Sequence, residues 1–125
     1  MGGFIEITRT AGLRPGTMRE VEVDGHKLLI ARVDDAYHVT DARCPHLGGH
    51  LAEGVLTGTV VTCPRHHSQF DLADGSCVRW TDWKGAALTI AELAKHPRPL
   101  RAYDSKVEDG KVFVGPEKAP GRVPG

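Results

Sequence analysis

A chain of 125 residues, 40% hydrophobic and 26% charged, has the composition of a single soluble globular domain and leaves no length for a second. Its sixteen basic and sixteen acidic residues cancel, and no stretch interleaves Lys and Arg with aromatics, which argues against a nucleic-acid or anionic-membrane partner. No apolar run approaches the roughly 20 residues that span a bilayer, and neither a basic-then-apolar leader nor a twin-Arg signal is visible, so a cytoplasmic location is expected.

Along the chain, apolar residues recur at period two, as in Ile5/Ile7 and Val21/Val23, with Glu6 and Glu22 between them on the watered face. The fold class is therefore mainly β. Asp24-Gly25 separates a strand at 18–23 from one at 26–33, and Asp109-Gly110 separates 100–107 from 111–114, because such dipeptides tolerate the left-handed dihedrals of tight hairpins. Asp34-Asp35 turns the second strand into a third at 36–40. A strand is expected at 59–62 and another near 77–80, after a turn at Asp74-Gly75.

One segment departs from this pattern. Thr89-Ile90-Ala91-Glu92 fits a capping box, and Leu88 and Leu93 stand where a hydrophobic staple needs its partners, so a short helix is predicted over 90–95. Pro97 stops it, lacking the next backbone donor. The domain is expected to span 1–114, and the tail at 115–125, with three prolines and three glycines, is expected to be disordered.

The chemistry concentrates in two short motifs, Cys44-Pro45-His46 and, after sixteen intervening residues, Cys63-Pro64-Arg65-His66. Three cysteines, an odd number, fit a disulfide framework poorly, and ligation is the better use of two of them. Thiolates suit iron in a sulfide-bridged cluster, whereas neutral imidazoles are weaker donors that leave bound iron more positive and raise its potential. Neither pair can close a site alone, so two loops must converge. A tetrahedral zinc site is the rival reading, but one residue between Cys44 and His46 is shorter than the usual two-to-four-residue zinc spacing. Cys77 reads as a small buried hydrophobe, and Trp80 and Trp83 as scaffold packing.

These motifs resemble the Rieske family, whose pattern is Cys-x-His followed at a distance by Cys-x-x-His; here it is CPH, LGGHLAEGVLTGTVVT, CPRH. The likeness extends to Leu51, Gly54, Phe70-Asp71, Gly75 and the closing hairpin. It implies a single domain of antiparallel sheets with a cluster-binding subdomain of two loops, holding one 2Fe-2S cluster. Cys44 and Cys63 would bind one iron, and His46 and His66 the other. Ser68, His67, Leu47 and Pro97 would lie around the ligands, with residues 97–99 resembling a proline-bearing shield and Ser68 donating to a sulfur. High-potential relatives carry a disulfide at positions that here are Gly49 and Arg65, and a tyrosine where Phe70 stands, so a potential in the lower half of the family range is expected.

Where the family pattern has glycine after the second histidine, this chain has His67. Backbone strain, a titratable edge near the cluster, a plain surface imidazole and a ligand register shifted by one all remain open for it. The resemblance implies a one-electron carrier rather than an enzyme, a monomeric Rieske-type ferredoxin taking electrons from a flavin-dependent reductase and passing them to a terminal oxygenase in ring hydroxylation. A small Rieske subunit of an assimilatory nitrite reductase is an alternative, and a zinc-stabilised, non-redox interaction module is the alternative of another class.

Overall fold

The computed structural model describes residues 3–45, 48–65, 67–81 and 97–123. The predicted helix at 90–95, Trp83 and the segment around it, and His46, Leu47 and His66 lie outside the described residues.

Ten strands form two antiparallel sheets: β1 (Ile5–Arg9), β2 (Thr17–Val23), β3 (His26–Val33), β4 (Ala36–Asp41), β5 (Val55–Thr57), β6 (Val60–Thr62), β7 (Gln69–Asp71), β8 (Cys77–Arg79), β9 (Ala102–Glu108) and β10 (Lys111–Glu117). The larger sheet runs β1-β10-β9-β4-β3-β2 and the smaller β5-β6-β7-β8. Among the described residues the helical content is two 3-10 turns, at Thr10–Gly12 and Leu51–Glu53.

Both Asp-Gly hairpins form as the sequence predicts. Asp24 and Gly25 take φ of 51° and 79°, and Asp109 and Gly110 take 52° and 72°, so Val23 faces His26 and Glu108 faces Lys111. In both turns the left-handed dihedrals match the strands' own twist. Arg19 of β2 donates to the Thr8 hydroxyl of β1, joining the two edge strands and curling the larger sheet back on itself.

β3 explains how the two sheets become one molecule. Its run Leu28, Leu29, Ile30, Ala31 is buried throughout, and successive side chains of a strand point to opposite faces. Leu28 and Ile30 join Leu13, Val39, Val112 and Val114 inside the larger sheet. Leu29 and Ala31 pack instead with Leu51, Val61, Phe70, Leu72, Trp80, Leu100 and all three cysteines, beneath the smaller sheet. Phe70 and Trp80 meet edge to face at 6.5 Å in that second core.

The tail departs from expectation. β10 runs past Val114 to Glu117, the Lys118 amide donates to the Ala102 carbonyl, and the Cys77 amide donates to the Arg122 carbonyl. The Arg122 amide in turn donates to the Ser76 hydroxyl, and the Lys118 ammonium to the Ala73 carbonyl. Residues 118–123 thus strap the larger sheet to the turn before β8. Their low apolar content gave the impression of disorder, but the strap is held by backbone groups.

Candidate metal centre

Cys44 follows β4 and Cys63 follows β6, each as the first residue of a loop with the same hydrogen-bonding plan. In the first loop the Cys44 amide donates to the Gly49 carbonyl at 2.9 Å, and the Cys44 carbonyl accepts from the Gly48 amide at 2.8 Å. In the second the Cys63 amide donates to the Ser68 carbonyl at 2.8 Å, and its carbonyl accepts from the His67 amide at 3.1 Å. Each loop is closed by an antiparallel pair flanking it, Arg43 with His50 and Thr62 with Gln69. By this count Gly48 corresponds to His67, and Gly49 to Ser68.

The correspondence extends to the backbone. Gly48 has φ of 73° and His67 has φ of 61°. Both turn through the left-handed region, where glycine is free and a side chain is strained. Of the readings open for His67, the backbone strain is thus present, and its ring is exposed. His is among the residues that tolerate this region better than most.

The two loops touch. A Cβ placed on Gly49 would come 2.8 Å from Cys63 Sγ and 3.0 Å from Arg65 Cγ and Cδ, so a side chain there would push the second loop's side chains aside. Gly49 and Arg65 therefore face each other across the two loops. Cys44 and Cys63 are buried, at 3% and 2% exposure, and neither is in a disulfide.

Around this pair, residues 97–100 press on the first loop. The Arg98 Nη2 donates to the Pro45 carbonyl at 3.1 Å, and the Leu100 amide donates to the Gly75 carbonyl. Arg98, Pro99 and Leu100 line a cleft of about 410 Å³ with Arg43, Cys44, Pro45 and Gly48. Pro97 opens the segment, half-buried.

Ser68 is fully buried, and its hydroxyl donates to the Trp80 carbonyl. A hydroxyl has one proton. In this structure the Ser68 hydroxyl is turned to that carbonyl, which ties the second loop to the residue following β8. The Cys77 thiol is pushed up to about 12 by burial and, secondarily, by Cys44, so it stays a neutral, inert thiol. His50 is paired through Nδ1 with Glu20 of β2 at 3.1 Å. His38 lies on β4, half-buried.

The donor set fits an iron-sulfur group: two buried thiols on adjoining loops of one design, each motif carrying a histidine two or three residues after its cysteine. Among the described residues no three His, Cys, Asp or Glu side chains form a metal cluster, as the two candidate histidine ligands lie outside them.

Residues 3–97 match the Rieske [2Fe-2S] domain. The chain belongs to that family. A Rieske domain carries one [2Fe-2S] cluster, and the zinc reading is set aside with this match. Among curated relatives, ferredoxin CarAc of Metapseudomonas resinovorans is 28% identical over 116 residues, covering 92% of this chain and 95% of that one. The ferredoxin component of the naphthalene 1,2-dioxygenase system of Pseudomonas putida is 28% identical over 111 residues, covering 89% and 93%. Among solved structures, a ferredoxin in a complex of reduced oxygenase and oxidized ferredoxin of carbazole 1,9a-dioxygenase superposes with a TM-score of 0.73 at 26% identity, covering 93% of this chain and 96% of that one. The likeness runs the length of these small ferredoxins, and the mainly β, single-domain architecture is the one they share.

Proposed function

We propose that this chain is a Rieske-type ferredoxin, a one-electron carrier with no substrate site of its own, which accepts electrons from a flavin-dependent reductase and delivers them to a terminal oxygenase. The observation that carries this reading is the pair of matched loops bringing the buried Cys44 and Cys63 together. The names of the full-length relatives support the delivery to an oxygenase. The flavin-dependent reductase, the cytoplasmic location and the monomeric state are parts of the same proposal. No helix among the described residues is long and apolar enough to cross a membrane.

In this assignment Cys44, His46, Cys63 and His66 hold the cluster, which when bound takes up and releases one electron at a potential set by charge, hydrogen bonds and exposure. The protein's own contribution is rigidity and seclusion. The Gly48 and His67 amides turn back onto the cysteine carbonyls, fixing both thiol-bearing residues. Arg79 donates from Nε and Nη2 to the His67 carbonyl at 3.2 and 3.0 Å, bracing the strained turn. Residues 97–100 stand beside the first loop, where Arg98 holds the Pro45 carbonyl. Phe70 offers no hydroxyl in the core beneath the loops, which supports a potential in the lower half of the range.

Anaerobically purified protein is expected to contain iron and acid-labile sulfide in equal amounts. His66→Ala is expected to abolish the Rieske-type absorption and electron paramagnetic resonance spectra, and His67→Gly to keep them. The reverse pair of outcomes would move the ligand to His67, and absence of sulfide would refute the carrier reading.

A further inference from the structure

Arginines surround the two ligand loops. Arg43 Nη1 donates to the Gly48 carbonyl at 2.9 Å, Arg98 to the Pro45 carbonyl, and Arg79 to the His67 carbonyl. Arg65 lies over Gly49 where the loops meet, and Arg101 joins Arg43 and Arg98 around the cleft beside Cys44. Arg43, Arg65, Arg98 and Arg101 are exposed. Among the described residues of these segments (41–54, 62–70, 79–81 and 97–101), the acidic side chains are Asp41 and Glu53. Asp41 lines the same cleft and accepts the Tyr103 hydroxyl at 2.6 Å, and Glu20 reaches His50 of the first loop, so the five arginines outnumber three carboxylates around the loops. The chain as a whole has a formal net charge of zero, so this is a local surplus of positive charge.

We propose that this arginine-rimmed face is the docking surface for the redox partner and that it receives Asp and Glu carboxylates from that partner. The proposal rests on the electron-carrier reading and adds to it the sign and the residues of the encounter. A guanidinium has five N–H donors in a planar fork that matches a carboxylate. Arg43 and Arg98 each give one donor to a loop carbonyl, which holds the fork in place and leaves the others for a partner. Less ordering is then lost on binding. The charges are spread over both loops and residues 97–101 rather than gathered in one closed pocket, which suits the broad surface of a protein and speeds its approach.

Two measurements on the holoprotein test this. In the first, the reduced protein passes one electron to ferricyanide, giving ferrocyanide, in a stopped-flow experiment with hexaammineruthenium(III) as the cationic counterpart. At about 10 mM salt, Arg101→Gln and Arg98→Gln are each expected to slow ferricyanide about threefold to fivefold, with the difference vanishing near 0.5 M. Hexaammineruthenium is expected to respond in the opposite direction, and Arg98→Lys to restore the ferricyanide rate. Replacing chloride by phosphate at equal ionic strength should change nothing further; a selective loss in phosphate would overturn the proposal in favour of a small-anion pocket.

The second measurement needs no electron transfer. Retention on a carboxymethyl matrix at low salt is expected to fall in Arg98→Gln and Arg101→Gln but not in Lys106→Gln, whose lysine pairs with Glu108 beside the β9–β10 turn. Equal losses in all three, or ferricyanide rates indifferent to salt and to the arginines, would overturn the proposal. A preparation with no bleachable cluster would instead sink the carrier reading.

Discussion

The equivalence of Gly48 and His67 makes a reciprocal prediction that depends on the backbone alone. A Cβ on Gly48 would meet nothing within 4 Å, so Gly48→Ala tests conformational strain free of any clash. Placing an L side chain in the left-handed region costs roughly 1–2 kcal/mol. Replacing glycine recovers about 0.4–1 kcal/mol by shrinking the unfolded ensemble. The balance is a loss of about 0.5–1 kcal/mol for Gly48→Ala, and a gain of similar size for His67→Gly, toward its lower end because His tolerates the region. At about 2.1 cal/mol/K per residue, a chain of 125 residues has an unfolding entropy of about 260 cal/mol/K. The two variants should therefore melt about 2–4 °C below and above the wild type, respectively. Scanning calorimetry of the cluster-loaded proteins, with spectra confirming equal loading, reads both shifts. If His67→Gly melts at or below the wild type, or Gly48→Ala at or above it, the two loops do not share the plan described for them.

Ser68→Ala is expected to cost about 1–3 kcal/mol, because the buried Trp80 carbonyl loses that donor, and to leave the midpoint potential where it was. A lower potential at unchanged stability, seen by redox titration, would return Ser68 to the role of a sulfur donor. His38 should give a pH signature. Burial first, and then the Lys118 charge, hold its pKa below the usual 6.5, with Asp71 pulling weakly the other way. The unfolded chain then binds the proton more readily, so this contribution to stability is complete above pH 6.5 and is lost as the pH falls through the lowered value. Melting temperatures between pH 7.5 and 5 should flatten in His38→Gln, and an unchanged slope would refute this.

The parts of the structure that the sequence disclosed are those written in local chemistry. The Asp24-Gly25 and Asp109-Gly110 turns were legible because their dihedrals permit few other residues. The two Cys/His motifs stood out because Cys and His at that spacing serve few purposes, and the structure places their cysteines on adjoining loops. β5 and β7 went unpredicted: three residues are too few to display a period, and Gly58 was the one local hint of the β5–β6 turn. The strap at residues 118–123 was misread because backbone groups at Arg122 and Lys118 hold it, and composition does not register those. The bond from Ser68 to Trp80 links residues 12 apart across β7 and β8, and the strain at His67 emerges only when the two loops are laid over each other.

β3 is a common wall, apolar on both sides, with the barrel-like sheet on one and the cluster lobe on the other. A plank nailed from both sides cannot be pried loose from one alone. The cluster lobe and the larger sheet should consequently melt as a single cooperative unit, and the amides of Leu29 and Ile30 should exchange with deuterium only through whole-molecule opening. Such a mounting also keeps the metal-bearing tips from drifting as the electron arrives and leaves, so the framework that the carrier presents to one protein is the framework it presents to the next.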